Sequence, residues 1–528
     1  MRDAWGHGLR RSGYRYGVLR KQPVAMNARA VLQLGLLAAL SAALVAQAPT
    51  RAPRIWDDAA LADWATPVAT LNVRPAHYSS SEYYSVPAEN LRTYPVYHPD
   101  SEPPGYWEEL QKKKPEPLVD VSKIRSTDDW IAAGERAFRE VDNFWSRTDD
   151  PALIARARDP RSFEGVFKLP DGTAFGPRWL VTAEGVRLSS PACSACHFTV
   201  RADGTVAFAG PRGPRPPGSP TLIPRGLGVI AAGAPLAMQR FYAEDSVSMA
   251  AWRMWTVPWA IDERIESRRN VAADGLQGLA TGDPGVFNRP HGSPYYATKI
   301  PDLHILRYSR YLDATATHRL RGPEDAARYA AFITGADPMD FGPHRILTDV
   351  QRRVRFRYAD EVLYAIGMYL VSLEPPKNPN PAAAELLARG ERVFRREGCV
   401  NCHVPPNYTS GRLTLAQGWN PPAKHPNRDD IAAVSVGTDS GLALKTRKGT
   451  GLYKIPSLRG VWYRPRLLHD ASVTSLEEMF DPARTSPEYE PKGWNPPGVT
   501  KRAVPGHAFG LSLNAEDRNV LLAFLRSL

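Results

Sequence analysis

Residues 390–403 read Gly-Glu-Arg-Val-Phe-Arg-Arg-Glu-Gly-Cys-Val-Asn-Cys-His, and this stretch decides how the rest of the chain is expected to fold. It ends in a C-x-x-C-H spacing formed by Cys399, Cys402 and His403. Two thiols at this spacing can each form a thioether to one porphyrin, and the adjacent imidazole can then bind its iron. The stretch therefore predicts covalent attachment of a c-type haem.

A second copy of the spacing, Cys193, Cys196 and His197, lies 206 residues earlier. The chain has four cysteines, and these two motifs use all of them. A thioredoxin-like pair, or a zinc site built from both pairs, would leave the two histidines without a role. We therefore predict two covalently bound haem c groups, with His197 and His403 as iron ligands.

Three further stretches are repeated around the two motifs. The matched pairs are 134–138 with 390–394, 299–303 with 454–458, and 359–373 with 515–528. The first pair shares the pattern Gly-Glu-Arg-x-Phe, which looks like the helix before the attachment motif in small cytochromes c. The fold class that we predict is mainly α, with two cytochrome c-like helical haem domains related by duplication. Loops and β-hairpins enlarge the first domain, and 165–172 and 179–188 are the candidate hairpins.

The composition divides the chain into four stretches. They are a signal peptide over 1–48, an extended Pro/Tyr-rich N-terminal arm over 49–124, haem domain 1 over 125–376 and haem domain 2 over 377–528. The apolar run 30–45 suits a signal-peptide core, with an uncleaved N-terminal anchor as the alternative. We expect the arm to wrap on the surface of a periplasmic or secreted protein.

The net charge of the chain indicates which classes of binding partner to expect. The formal net charge of +12 falls to +6 when the seven basic residues and the one acid of residues 1–48 are set aside. A surplus this mild does not indicate nucleic-acid binding. We expect a small electron-donor protein, either a cytochrome or a copper protein, or an organic substrate. Membrane contact is expected only if the N-terminal segment stays uncleaved.

The second ligand of each iron decides whether a haem transfers electrons or binds an outside molecule. The loop before the last helix contains His507, which we predict to lie opposite His403. His469 is the alternative ligand at this second haem. At the first haem, Met339 is aligned with His507 by the Phe-Gly pair that follows each of them, and it is the alternative to an open position.

We favour the open position at the first haem. Peroxide cleavage on such a haem needs a group that moves protons. His304 and His318 lie between the two attachment motifs in the sequence and are the candidate acid–base residues. A hydrogen-bonded structural role is the competing interpretation for each.

The stretch Lys454-Ile455-Pro456-Ser457-Leu458-Arg459-Gly460, followed by Leu468-His469-Asp470, adds a resemblance to a known family. With both attachment motifs, residues 125–528 resemble the di-haem cytochrome c peroxidase and MauG superfamily. The Ser-Ala filling of the first C-x-x-C-H motif and the Gly-His-x-Phe-Gly ending look closer to the rubber oxygenase branch.

The resemblance implies a catalytic haem on His197 and an electron-transfer haem on His403, with His507 as the second ligand of the latter. Peroxidase members of that family often hold a calcium ion between their domains, but no acidic loop here demands one. The function implied is an exported, peroxidase-like di-haem oxidoreductase. The alternatives are a haem-dependent oxygenase of the rubber oxygenase type and a non-enzymatic di-haem electron carrier.

Overall fold

The computed structural model describes residues 51–201, 205–214, 221–227, 245–272, 285–287 and 293–528, and the predicted signal peptide lies outside them. Helix makes up 32% of the structure and strand 14%, so helices dominate as predicted. Within the described ranges, every helix is too short or too polar to cross a bilayer. The described residues belong to one unit, Pro49–Leu528.

The helices are mostly short, and the longest lie near the two haem motifs. In chain order they are α1 Asp58–Leu61, α2 Ser80–Tyr84, α3 Tyr106–Lys112, α4 Thr127–Glu140, α5 Pro151–Arg156, α6 Val247–Trp255, α7 Glu263–Glu266, α8 Pro323–Thr334, α9 Asp360–Ser372, α10 Ala384–Arg396, α11 Gly441–Leu444, α12 Leu476–Met479 and α13 Ala515–Ser527.

The strands form small sheets of two or three members. They are β1 Ala88–Glu89, β2 Thr93–Tyr97, β3 Thr173–Thr182, β4 Gly185–Ser189, β5 Phe198–Val200, β6 Val206–Phe208, β7 Val286–Phe287, β8 Thr298–Lys299, β9 Tyr311–Leu312, β10 His318–Arg319, β11 Asp340–Phe341, β12 His344–Arg345, β13 Arg357–Tyr358, β14 Leu413–Leu415 and β15 Leu452–Lys454. The pairs β1–β13, β5–β6, β7–β8, β9–β10, β11–β12 and β14–β15 each form a two-stranded sheet.

Two crossed helix pairs, α4 on α9 and α10 on α13, follow from the repeated sequence pattern. A Cβ atom at Gly134 would lie 1.9 Å from the Ala365 carbonyl oxygen, and one at Gly390 would lie 2.1 Å from the Val520 carbonyl oxygen. Glycine is therefore required at both crossings, because any side chain would overlap the backbone of the partner helix.

The aromatic residue of the same pattern also packs alike in the two pairs. The Phe138 and Tyr369 ring centroids lie 5.5 Å apart, and those of Phe394 and Phe524 lie 5.4 Å apart. The Gly-x-x-x-Phe pattern thus encodes a glycine at the helix crossing and an aromatic contact one turn further on. The two helix pairs therefore pack in the same way at their crossings.

The predicted hairpin over 179–188 is confirmed, since β3 and β4 are antiparallel with Trp179 opposite Leu188. β2 pairs with the other edge of β3, which gives a three-stranded sheet in the order β2-β3-β4. The predicted hairpin over 165–172 is confirmed only as one antiparallel bridge, between Lys168 and Ala174, which closes the turn that leads into β3. Pro170 has no N–H to donate to a ladder, which disfavours a strand there.

The prediction that the N-terminal arm wraps on the surface is wrong for its aromatic residues. Trp56 and Trp64 have no solvent exposure, and Tyr83 is 1% exposed. The indole of Trp64 donates to the Arg319 carbonyl, and its ring packs 4.2 Å from that of His318. Large aromatic side chains gain enough from burial to draw an aperiodic segment into the core.

Candidate haem-binding site

One cavity is lined by residues of both C-x-x-C-H motifs: Cys193 and His197 from the first, and Cys399, Cys402 and His403 from the second. Within each motif the chain makes the same tight turn. The His197 amide donates to the Cys193 carbonyl at 3.2 Å, and the His403 amide donates to the Cys399 carbonyl at 2.8 Å. The shared turn places a cysteine and its histidine beside the same space.

The Nδ1 atoms of both motif histidines are held by backbone carbonyls. His197 Nδ1 lies 3.3 Å from the Pro301 oxygen, and His403 Nδ1 lies 3.1 Å from the Tyr408 oxygen. The Pro456 carbonyl also faces His403 and acts to raise its pKa. Pro301 and Pro456 occupy the same position in the repeat, so the two sites share this contact. A carbonyl at Nδ1 leaves Nε2 available to a metal.

Burial lowers the pKa of His403 to about 4, so its imidazole is neutral and keeps a lone pair for a metal. The ring of His507 faces it, with the two ring centroids 6.4 Å apart and the planes inclined by 51°. A metal bound to two imidazoles at about 2.0 Å each would separate their centroids by about 6 Å. The donor set and its spacing therefore fit an iron between these residues.

The loop that carries His507 is fixed by the buried Arg484, which the sequence did not single out. The backbone of His507 is left-handed, with φ of 51°, and Gly506 precedes it at φ of 83°. Arg484, which has no solvent exposure, donates to the carbonyls of Met479, Val504 and His507. These bonds hold the strained loop in place.

The alternative ligand His469 also lines the cavity, but it is engaged elsewhere. Its Nε2 lies 3.2 Å from the Asp439 carboxylate, and its ring packs 4.7 Å from that of Tyr453. Burial opposes protonation, but Asp439 and Asp470 outweigh it and raise the pKa of His469. Donor atoms of these three residues lie within 4.8 Å of one another, although Asp470 is already bonded to Arg502.

Three predicted residues lie outside the set that lines this cavity. Met339 is 2% exposed and packs in an apolar cluster with Trp255 and Phe341. His304 Nδ1 lies 2.9 Å from the Asp302 carboxylate. His318 is 2% exposed and packs between the N-terminal arm and Tyr329, at 5.5 Å from the ring of that tyrosine.

A polar cluster that the sequence does not reveal lies on the cavity wall instead: Asp313, Tyr329 and Lys448. One oxygen of Asp313 accepts hydrogen bonds from Lys448 Nζ at 2.8 Å and from Thr317 Oγ1 at 2.7 Å, and it also accepts from the Tyr329 hydroxyl. Burial acts to raise the pKa of Asp313, but the Lys448 ammonium and the hydrogen bonds from Tyr329 and Thr317 together outweigh it and hold this pKa well below its usual range. Asp313 and Lys448 are 135 residues apart, so local pattern gives no signal.

Two stretches of equal length, 298–319 (the first Lys-Ile-Pro segment) and 453–474 (the second), meet between the motifs. They are related by a constant offset of 155 residues and share seven identities in 22 positions. Their contacts are reciprocal. The Lys299 amide donates to the His469 carbonyl at 2.8 Å, and the Lys454 amide donates to the Ala314 carbonyl at 3.0 Å.

The side chains of Lys299 and Lys454 make reciprocal hydrogen bonds between the two segments, as their backbone amides do. Lys299 Nζ donates to the Arg466 carbonyl at 3.2 Å, and Lys454 Nζ donates to the Tyr311 carbonyl at 3.3 Å. Arg466 and Tyr311 are themselves 155 residues apart.

The left-handed residues of the two segments coincide too. They are Asp313 at φ of 59° with Leu468 at 61°, and Ala316 at 55° with Ala471 at 65°. The two backbones therefore have the same conformation in this region.

No protein-family model and no curated protein matches the chain. Distantly similar solved structures include the following three. Hydrazine synthase from Kuenenia stuttgartiensis is 13% identical over 55% of this chain and 87% of its own, with a TM-score of 0.29. A MauG-like protein associated with microbial copper homeostasis is 17% identical over 53% and 88%, with a TM-score of 0.28. A variant of the di-haem peroxidase BthA from Burkholderia thailandensis is 19% identical over 49% and 77%, with a TM-score of 0.25.

Proposed function

We propose that the chain is an exported di-haem c-type oxidoreductase of the peroxidase kind. One haem is attached at Cys193 and Cys196 with His197 as its ligand, and the other at Cys399 and Cys402 with His403. The haem on His403 transfers electrons, and the haem on His197 is open to a small oxidant. A small cytochrome or copper protein is the expected electron donor.

The opposed imidazoles of His403 and His507 carry this proposal. Two nitrogen ligands on one iron close both faces, which suits electron transfer rather than ligand binding. The left-handed loop and the three carbonyls bound to Arg484 support the same role for His507, because they fix the backbone that carries the ring. His469, tied to Asp439, is the weaker candidate.

The first site has a different set of neighbours. Among the described residues that line the cavity, the histidines are His197, His403, His469 and His507, and the only methionine is Met479 of the second half. With His507 opposite His403 and His469 paired with Asp439, no described histidine is left to face His197. An iron with one protein ligand can bind peroxide or dioxygen.

When bound, the first haem would supply the redox chemistry, and the protein would manage protons and water around it. Tyr329 donates its hydroxyl hydrogen to Asp313, so its oxygen can accept a hydrogen bond from a protic oxidant such as peroxide. Lys448 balances the charge of Asp313. Ile333 and Leu370 add apolar surface to the same cavity. His318 lies behind this wall, against Tyr329, and remains a candidate for passing protons onward, as does His304 beside Asp302.

Titration of the reduced holoprotein with carbon monoxide tests the proposal. We expect one equivalent to bind per two haems and peroxide to reoxidise the reduced protein rapidly. His507→Ala should raise the stoichiometry to one equivalent per haem, whereas His469→Ala should leave it unchanged. Carbon monoxide binding to neither haem would leave an electron carrier, and a stable dioxygen adduct without added reductant would favour an oxygenase. Either result would overturn the peroxidase assignment.

A further inference from the structure

We infer that Lys299 and Lys454 each bind a propionate carboxylate of one haem, so that the two lysines form equivalent anchoring sites at the first and second haem. The inference rests on the proposed function in that it requires two bound haems. It adds residues that lie far in sequence from both attachment motifs and from His507.

The charge on the cavity wall is the first observation. Its described charged residues, histidines aside, are five cations and two carboxylates: Lys299, Lys448, Lys454, Arg464, Arg466, Asp302 and Asp313. Both carboxylates already have a cation, because Asp302 accepts from Arg464 Nε at 3.1 Å and Asp313 accepts from Lys448 Nζ at 2.8 Å. The wall therefore carries surplus positive charge, which suits an anionic occupant.

The partners of the two lysines are the second observation. Lys299 Nζ and Lys454 Nζ each donate to a backbone carbonyl, and within the described residues neither lies within 4.0 Å of a carboxylate. Burial lowers the pKa of both side chains to about 8; at Lys299 the nearby Arg464 adds to this effect. Asp302 and Asp470 near Lys299, and Asp313 near Lys454, oppose this shift from beyond 4.0 Å without cancelling it. Burying an ammonium group is costly, so each site favours an anion in direct contact.

The position of each lysine identifies that partner. Lys299 lies two residues before Pro301, whose carbonyl faces His197, and Lys454 lies two residues before Pro456, whose carbonyl faces His403. Propionates are the anionic groups that a haem brings into its cavity. Lys299 is thus assigned to the haem on His197, and Lys454 to the haem on His403.

A redox titration followed by absorbance, on holoprotein with both haems attached, tests the assignment. Removing a cation beside a haem favours the ferric state, so its midpoint potential should fall. Lys299→Met should lower the potential of the carbon monoxide-binding haem alone, and Lys454→Met that of the bis-histidine haem alone. Lys424→Met, at an exposed position, is the matched control and should shift neither.

The charge-retaining variants Lys299→Arg and Lys454→Arg should keep both potentials near those of the unmodified protein, which separates loss of charge from loss of packing. They also supply the measurement if a methionine variant fails to fold. The inference would be overturned if both methionine variants left the two midpoint potentials unchanged. It would also be overturned if both variants lowered the midpoint potential of the same haem. Absence of haem staining on a denaturing gel would instead overturn the proposed function, so the two failures are distinguishable.

Discussion

The first and second Lys-Ile-Pro segments follow the same backbone path but present different side chains to the cavity. At the left-handed position that lines it, the first segment has Asp313 and the second has Leu468. Asp313 gathers Lys448, Thr317 and Tyr329 around one carboxylate, whereas Leu468 packs in the apolar core of the second half. The backbone path is shared, and the side chains at this position differ in polarity.

This difference matches the two roles proposed. A haem closed by two imidazoles needs no polar group for an outside ligand, and an apolar residue at 468 keeps water away. An open haem that receives peroxide would need a polar group beside it, and the cluster around Asp313 offers the Tyr329 oxygen as a hydrogen-bond acceptor. One scaffold thus supports both roles through substitutions at equivalent positions.

The largest expected effect on stability comes from giving the first segment the leucine that the second segment has at the equivalent position. Asp313→Leu would leave Lys448 charged without its carboxylate, which costs about 3–5 kcal/mol when a buried pair is broken. We expect the free energy of unfolding, measured by chemical denaturation of the holoprotein, to fall by that amount. The double variant Asp313→Leu with Lys448→Met removes both charges and should recover most of the loss. If the double variant is no more stable than Asp313→Leu, the pair is not the source of the effect.

Substituting the glycine at either helix crossing should lower the stability by a similar but smaller amount. Gly134→Ala and Gly390→Ala each place a Cβ atom against a backbone carbonyl, at 1.9 Å and 2.1 Å respectively. Overpacking of this kind costs about 1–3 kcal/mol. Thermal unfolding should therefore show a lowered Tm for both. Arg392→Ala, on the exposed face of α10, is the control. A large loss at one glycine only would show that the crossings are not equivalent.

The smallest effect expected is a difference in pH dependence. The Lys448 ammonium holds the pKa of Asp313 well below its usual range, although burial of the carboxyl acts in the opposite direction. Tyr329 and Thr317 also donate to this carboxylate, and Lys454 and His318 are the other titratable groups nearby. A depressed pKa stabilises the fold above the unfolded-state value of about 3.9, and this contribution is lost as the pH falls below it.

The double variant Asp313→Leu with Lys448→Met should therefore lose less stability than the unmodified protein when the pH is lowered from about 6 to about 3. Unfolding free energies measured at a series of pH values would detect the difference. Parallel curves for the two proteins would show that Asp313 has its ordinary pKa in the folded state.

The sequence predicted what depends on short patterns. Helix α4 begins at Thr127 after the Ser126 cap, a start that a run of small polar and acidic residues favours, and the two Gly-x-x-x-Phe patterns lie at helix crossings. The hairpin of β3 and β4 could also be predicted, since Trp179 and Leu188 lie on either side of a turn that contains Gly185.

Contacts between residues far apart in the sequence could not be predicted. The pair of Asp313 with Lys448 joins residues that only the tertiary fold brings together. The two Lys-Ile-Pro segments share only seven identities in 22 positions, and different residues, Asp313 and Leu468, occupy one of their common left-handed positions, so residue type alone does not reveal the shared backbone conformation. The role of Arg484 could not be predicted, because it binds backbone carbonyl oxygens, which every residue has.

The reciprocal bonds of Lys299 and Lys454 have a consequence for assembly. The same donor in each segment meets the same acceptor in the other, which is the arrangement found where two identical subunits meet across a twofold axis. A fragment ending before residue 377 would expose amide and ammonium groups that its counterpart now satisfies. Two copies of such a fragment would offer one another equivalent acceptors, so the contact between the two Lys-Ile-Pro segments has the symmetry of a homodimer seam.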